Sequence, residues 1–84
     1  MEYKIIAVEP LPNFILSVLF ENGERKIYDV NLLIKKYECF NSFLLINKLF
    51  EQVKVDTGGY GVSWNKELDI SSYELYLNGV NFTK

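Results

Sequence analysis

Asn22 and Gly23 lie between two segments in which apolar side chains recur at every second position. Asparagine and glycine tolerate the positive φ angles of a type I′ turn, whose twist matches that of two paired strands. In the first segment the alternating residues are Phe14, Leu16, Val18 and Phe20. The pattern therefore predicts an antiparallel hairpin of Phe14–Glu21 with Glu24–Val30, closed by a type I′ turn at Asn22 and Gly23.

The first strand of this hairpin is apolar on its other face as well, because Ile15 and Leu19 occupy intervening positions. Such a strand is typical of the centre of a sheet that is at least partly covered on both sides. A preceding strand is predicted over Tyr3–Val8. We expect it to end before Pro10 and Pro12, because proline lacks the N–H group that a sheet uses.

A short helix is predicted over Asn31–Lys36, directly after the hairpin. Asp29 or Asn31 can accept hydrogen bonds from the unpaired backbone N–H groups at its start. Lys35 and Lys36 suit the negative C-terminal end of the helix dipole.

The segment Ser42–Gln52 is also interpreted as a helix, because Phe43, Ile46 and Phe50 share one helical face. Its four consecutive apolar residues, Phe43–Ile46, are equally compatible with an extended chain.

A second hairpin is predicted from Gln52–Asp56 and Tyr60–Asn65, because each segment alternates apolar and polar residues around Thr57–Gly59. A phosphate-binding loop is the alternative interpretation of this glycine-rich turn. It is disfavoured because the turn joins two strands and leads into no helix N-terminus.

The last helix is predicted to begin at a capping box. Ser71 and Glu74 have the spacing at which each side chain accepts a hydrogen bond from the other residue's backbone N–H. We expect Gly79 to end this helix in a left-handed conformation, and residues 80–84 to form a tail.

The predicted order of elements is thus β-β-β-α-α-β-β-α. Strands grouped in hairpins indicate an α+β fold with a small, mainly antiparallel sheet of about five strands and helices packed on one face. A length of 84 residues with 49% hydrophobic side chains fits one domain over residues 1–84, with its core in residues 3–79.

The composition excludes several kinds of chemistry. The chain contains no histidine, so one polypeptide cannot build a Ser-His-Asp or Cys-His nucleophile. Its single cysteine, Cys39, can form neither an internal disulfide nor a CxxC zinc site, and we interpret it as a passive, partly buried thiol. A lone cysteine and the absence of a basic, apolar leader lead us to expect a cytoplasmic protein, and no apolar run is long enough for a membrane span.

Several motifs occur together along the chain: Phe20-Glu21-Asn22-Gly23, Asp29, Phe50, Val53, Val55, Asp56, Trp64, Leu68-Asp69-Ile70 and Leu75-Tyr76. Together they resemble a known bacterial family, the domain of unknown function 2442. The resemblance covers about residues 3–79 and implies a compact α+β domain without established enzymatic activity. Because some relatives are encoded beside another small protein, it also implies a regulatory role, as in a toxin–antitoxin pair.

Four carboxylates, Asp29, Asp56, Glu67 and Asp69, are the candidates for a metal or acid–base site. The three aspartates stand where short acids bind backbone N–H groups at turns and helix starts, and structural roles are therefore favoured. We expect no catalytic residue, metal or cofactor.

Tyr60 and Trp64 are the candidate partner-binding residues. Core packing is the favoured alternative for Trp64, because a small domain needs its largest apolar side chain inside. Tyr60, in the loop of the second hairpin, is the aromatic residue most expected to be exposed.

The leading hypothesis is therefore a noncatalytic protein-interaction module whose partner is another protein or a second copy. Nucleic-acid binding through a patch assembled by the fold is the alternative, although a net charge of −2 without a basic cluster makes it less favoured. Carboxylate-based metal-dependent hydrolysis is the least favoured hypothesis.

Overall fold

Two antiparallel sheets organise the chain in the computed structural model, which describes residues 3–82. The first has the strand order β1-β2-β3-β7 and the second the order β4-β5-β6. The strands are β1 (Ile5–Leu11), β2 (Ile15–Phe20), β3 (Arg25–Asp29), β4 (Lys54–Val55), β5 (Gly61–Ser63), β6 (Asp69–Ser71) and β7 (Val80–Asn81). The helices are α1 (Asn31–Lys36), α2 (Ser42–Leu45) and α3 (Ser72–Asn78), with 3-10 helices at Glu38–Asn41 and Phe50–Gln52. The α+β class and the antiparallel pairing are confirmed, with seven short strands in place of about five.

The hairpin at Asn22 and Gly23 is confirmed, but its turn is not type I′. Only Gly23 has a positive φ angle, 92°, whereas type I′ needs positive values at both central residues. The Gly23 N–H donates to the Phe20 carbonyl at 2.9 Å, and the Phe20 N–H donates to the Glu24 carbonyl at 2.8 Å. The loop therefore has three residues, with glycine in the left-handed position that such loops require.

The first strand is longer than expected and passes through Pro10. In β1, Pro10 pairs with Leu16 of β2, and Leu11 pairs with Ile15. Proline is tolerated there because β1 is the edge strand of its sheet and needs backbone hydrogen bonds on one side only.

The expected helix over Ser42–Gln52 is wrong for most of its length. Helix α2 ends at Leu45, because Ile46 is extended, with φ −109° and ψ 112°. Lys48 then has a φ of 65°, so the chain reverses before the 3-10 helix at Phe50–Gln52. The helix Asn31–Lys36 is confirmed, and the Asp29 carboxylate accepts the Asn31 N–H at 2.9 Å at its start.

The capping box at α3 is half formed. The Ser71 hydroxyl accepts the Glu74 N–H at 3.1 Å, as predicted. The Glu74 carboxylate accepts hydrogen bonds from Tyr28 Oη at 2.7 Å and Asn78 Nδ2 at 2.9 Å, and so ties α3 to β3.

The end of α3 also differs from expectation. Gly79 is extended, with φ −76° and ψ 157°, so a left-handed conformation is wrong. The expected tail over residues 80–84 is wrong for Val80–Asn81, which form β7 and pair with Lys26 and Ile27 of β3. Residues 83 and 84 lie outside the described part of the chain.

The core lies between the inner face of the first sheet, the second sheet and the helices. Side chains of β2 contribute Leu16, Val18 and Phe20, all 1% exposed or less. The two sheets are joined at Gly59, whose carbonyl accepts the Ile5 N–H at 2.7 Å. A Cβ atom at Gly59 would lie 2.6 Å from the Ile5 carbonyl oxygen, so this close approach requires glycine.

Candidate functional site

A surface groove of about 700 Å³ separates the β1–β2 turn from the segment that follows α2. We call it the Leu45 groove. One wall is Pro10–Phe14, and the other is formed by Phe43–Lys48 with Phe50 and Glu51.

Three consecutive apolar side chains project into solvent on the second wall. Leu44 is 59% exposed, Leu45 is 82% exposed and Ile46 is 55% exposed. They are exposed because α2 ends after one turn, so that only Phe43 of this apolar run reaches the core. A run of three exposed apolar residues costs solvation free energy in a free domain and is typical of a binding surface.

Backbone strain is concentrated at the same groove. Among the described residues, the non-glycine residues with positive φ are Asn13 at 66°, Phe14 at 60° and Lys48 at 65°, and all three line the groove. A left-handed conformation costs roughly 1–2 kcal/mol for a residue with a Cβ atom, and such strain clusters at functional sites.

Tertiary contacts hold the strained β1–β2 turn in place. The Asn31 side-chain amide donates to the Asn13 carbonyl at 2.7 Å, and the Val30 N–H donates to the Phe14 carbonyl at 3.0 Å. The Phe14 ring packs edge-on against Phe50, with ring centroids 5.3 Å apart. These contacts hold the wall of the groove in its left-handed conformation.

Trp64 supports the floor of the groove from below. It is 6% exposed, and its Nε1 donates to the Phe50 carbonyl at 2.9 Å. The centroid of its ring lies 4.7 Å from that of Phe43 and 5.7 Å from that of Phe50, and both phenylalanines line the groove. Trp64 thus takes the core position that the sequence favours.

Tyr60 is exposed as predicted, at 47%, but lies outside the groove. Its carbonyl accepts the Ser72 N–H at 2.9 Å, next to the start of α3. The structure therefore does not bring Tyr60 and Trp64 into one site.

The electrostatic character of the groove is neutral. Its charged lining residues are Lys48 and Glu51, one of each sign. The remaining walls combine aliphatic, aromatic and proline side chains with Asn13 and Asn47. Such a lining suits an apolar, uncharged ligand better than a phosphate chain, which requires several cations.

Two of the four candidate carboxylates adjoin Ser63: Asp56 through a hydrogen bond and Asp69 as its cross-strand partner. Asp29 binds the start of α1, as expected. The Asp56 carboxylate accepts the Ser63 hydroxyl at 2.6 Å across the β4–β5 hairpin, whereas Glu67 and Asp69 are exposed. In the described part of the chain, no three His, Cys, Asp or Glu side chains form a group that could hold a metal ion.

Cys39 is exposed, so the expectation of partial burial is wrong. It stands in the 3-10 helix Glu38–Asn41, where Phe40 takes the inward position.

Lys26 is buried on the inner face of β3, and so it is unavailable to a basic surface patch. Its Nζ lies 4.5 Å from the centroid of the Tyr76 ring and 3.9 Å from the Glu24 carboxylate.

None of the helices found between Tyr3 and Phe82 has the length and apolar character that a bilayer crossing requires.

The fold and the groove define a small α+β domain with two antiparallel sheets and a surface cleft lined by both apolar and polar groups. Residues 5–81 match the family described as Protein of unknown function (DUF2442), and the chain belongs to that family. No curated protein and no solved structure matches this sequence.

Proposed function

We propose that this chain is a noncatalytic protein-interaction module that binds an apolar, uncharged segment of a partner protein in the Leu45 groove. The observation that carries the proposal is the run of exposed side chains at Leu44, Leu45 and Ile46 beside a preformed cleft. Covering these side chains with a partner removes their apolar surface from water, which contributes about 25 cal/mol per Å².

The chemistry of the groove supports this kind of occupant. Lys48 and Glu51 give the lining no net charge, so a strongly acidic or basic segment would lose solvation without gaining a counter-charge. A volume of about 700 Å³ accommodates the side chains of a short segment. This cleft lacks the several cations that a nucleic-acid backbone would need for binding.

The regulatory role follows as part of the same proposal. A small module with one preformed binding cleft suits one component of a regulatory or toxin–antitoxin-like pair, whose other component supplies the apolar segment. We take its compartment to be the bacterial cytoplasm.

Selection from a random peptide library displayed on phage tests the chemistry directly, with binding of the selected peptides measured by calorimetry. The wild-type chain is expected to select apolar peptides without a charged consensus. The substitution Leu45→Ser should weaken their binding at least tenfold, because an anchoring leucine contributes about 1.5–3 kcal/mol when buried.

Leu32→Ser is the matched control, since Leu32 is 60% exposed on α1 and lies outside the groove. Its peptide affinity should stay within twofold of the wild-type value. The proposal is wrong if the selected peptides are acidic or basic, or if Leu45→Ser and Leu32→Ser bind them equally well.

A further inference from the structure

Strand β6 (Asp69–Ser71) forms one edge of the second sheet, whose strand order is β4-β5-β6. The Trp64 N–H donates to the Leu68 carbonyl at 2.9 Å at the start of the β5–β6 ladder. Backbone groups alternate in direction along an antiparallel strand, so every second residue from Leu68 turns its N–H and carbonyl towards β5. The residues between them, Asp69 and Ser71, turn theirs away from the sheet.

Three of these outward backbone groups are unbound. Within residues 3–82, no hydrogen bond uses the Asp69 N–H, the Asp69 carbonyl or the Ser71 N–H, whereas the Ser71 carbonyl belongs to the start of α3. A complete capping box would bind the Ser71 N–H to the Glu74 carboxylate, but that carboxylate accepts from Tyr28 and Asn78 instead. The edge therefore presents a donor, an acceptor and a donor in order, which an extended peptide backbone complements.

A cleft of about 250 Å³ lies beside this edge. All three residues of β6 line it, as expected at the edge of a strand, because alternate side chains point to opposite faces. The opposite wall includes Leu33, Tyr37 and Phe40, and Tyr37 is 47% exposed. The unbound backbone groups thus face a wall on which the apolar part of a ligand side chain can pack.

The charges of the cleft indicate which segment suits it. Asp69 and Glu74 are its acidic lining residues, and Lys36 is its basic one, so the lining has a net negative charge. The Lys36 Nζ lies 5.4 Å from the centroid of the Tyr37 ring, a position in which an aromatic face attracts a cation. A second copy would bring its own Asp69 and Glu74 to this edge, and like charges on neighbouring strands oppose pairing. A basic segment of another protein meets no such repulsion.

We propose that the free edge of β6 binds an extended segment of a partner protein by strand addition, with a lysine or arginine side chain of that segment in the cleft. Segment carbonyls accept the Asp69 and Ser71 N–H groups, and one segment N–H donates to the Asp69 carbonyl. The aliphatic part of the basic side chain packs against Tyr37, and its cation lies near the Asp69 carboxylate.

This surface is distinct from the Leu45 groove, because the described linings of the two clefts have no residue in common. It is also smaller, at about 250 Å³ against about 700 Å³, and it offers three backbone hydrogen bonds. Its peptides are therefore expected to bind more weakly than groove peptides, and to dominate a selection only when the groove is disabled.

Peptide selection on the full chain carrying Leu45→Ser tests the proposal, since this variant disables the groove. A random library displayed on phage is expected to yield peptides that contain lysine or arginine, and calorimetry measures their affinity. N-methylation of one peptide residue at a time then reports the binding mode. Affinity should fall about tenfold at the residue that donates to Asp69, and less than twofold at its two neighbours, whose N–H groups point away.

Substitutions at Asp69 test the same contacts from the other side. Asp69→Pro removes an outward N–H and places a ring on the edge while sparing the ladder to β5, so it should lower affinity at least tenfold. Asp69→Asn keeps the N–H and removes the charge, so it should lower affinity about two- to fivefold. Glu9→Gln is the matched control, because it removes the same charge from β1, outside the cleft, and should leave affinity unchanged.

Asp69→Asn and the N-methylated peptides keep the test decisive if Asp69→Pro fails to fold, which the fluorescence of buried Trp64 reports. The proposal is overturned if no selected peptide responds to Asp69→Asn, if the consensus is acidic or uncharged, or if N-methylation is tolerated at every residue. It is also overturned if the wild-type chain dimerises in sedimentation and folded Asp69→Pro does not, because a second copy then occupies the edge. Binding of groove peptides is measured on the wild-type chain and does not depend on this result.

Discussion

The hydrogen bond between Tyr28 and Glu74 is one of the polar contacts that tie α3 to the first sheet, and its contribution can be measured. Tyr28 Oη donates to Glu74 Oε2 at 2.7 Å, from a tyrosine that is only 2% exposed. Tyr28→Phe removes the donor and keeps the ring, and Glu74→Ala removes the acceptor. The double variant completes a thermodynamic cycle.

The expected magnitude follows from the environment of the two groups. Hydrogen bonds to a charged partner contribute about 1.5–3 kcal/mol to folding. The lower part of this range applies here, because Glu74 is partly exposed and also accepts from Asn78 Nδ2 at 2.9 Å. Tyr28→Phe should lower the free energy of unfolding by about 1.5 kcal/mol, and the coupling energy between the two sites should be about 1 kcal/mol.

Urea unfolding at pH 7 followed by tryptophan fluorescence is a suitable assay. Trp64 is the only tryptophan and is 6% exposed, so its emission reports loss of the core. Ser71→Ala supplies the control cycle. This variant should lower the free energy of unfolding by about 1 kcal/mol by itself. Its effect should add to that of Glu74→Ala, because the Ser71 hydroxyl accepts from the Glu74 backbone N–H and makes no hydrogen bond with the Glu74 carboxylate.

A small coupling energy between Tyr28 and Glu74 would refute the reasoning. A coupling energy below about 0.3 kcal/mol between Tyr28 and Glu74 is within ordinary additivity. If Glu74→Ala nevertheless lowers the free energy of unfolding by about 1 kcal/mol, the carboxylate stabilises the fold through another group, such as the Ser71 backbone N–H of the complete capping box predicted from the sequence.

Three further predictions concern stability. Burial and the Glu74 carboxylate raise the pKa of Tyr28, so the folded state keeps a proton that the unfolded state loses near pH 10. The free energy of unfolding should therefore fall above that pH. Tyr28→Phe should reduce this decline by up to about 1.4 kcal/mol per pH unit, as measured by urea titrations. Lys48→Gly should raise the free energy of unfolding by about 1 kcal/mol, because glycine adopts a φ of 65° without strain; an unchanged urea midpoint would contradict this. Gly79→Ala should lower the thermal midpoint and reduce the free energy of unfolding by about 1–3 kcal/mol, because the new Cβ would lie 2.5 Å from the Leu75 carbonyl oxygen. The φ of −76° by itself suits alanine. Calorimetry showing equal or higher stability would disprove the clash.

Features set by local interactions could be predicted from the sequence. The hairpin at Gly23 follows from alternation and a residue that allows positive φ, and the helix Asn31–Lys36 follows from its polar start and basic end. The existence of the β4–β5 hairpin was predictable for the same reason. Each of these signals lies within a few neighbouring residues.

Features set by tertiary contacts could not be predicted. Val80–Asn81 become a strand because β3 presents a free edge, and Glu74 turns from its own helix start because Tyr28 lies within reach. The groove did leave a signal. Four consecutive apolar residues, Phe43–Ile46, cannot all face one side of a helix, so some of them had to be exposed or in an extended segment.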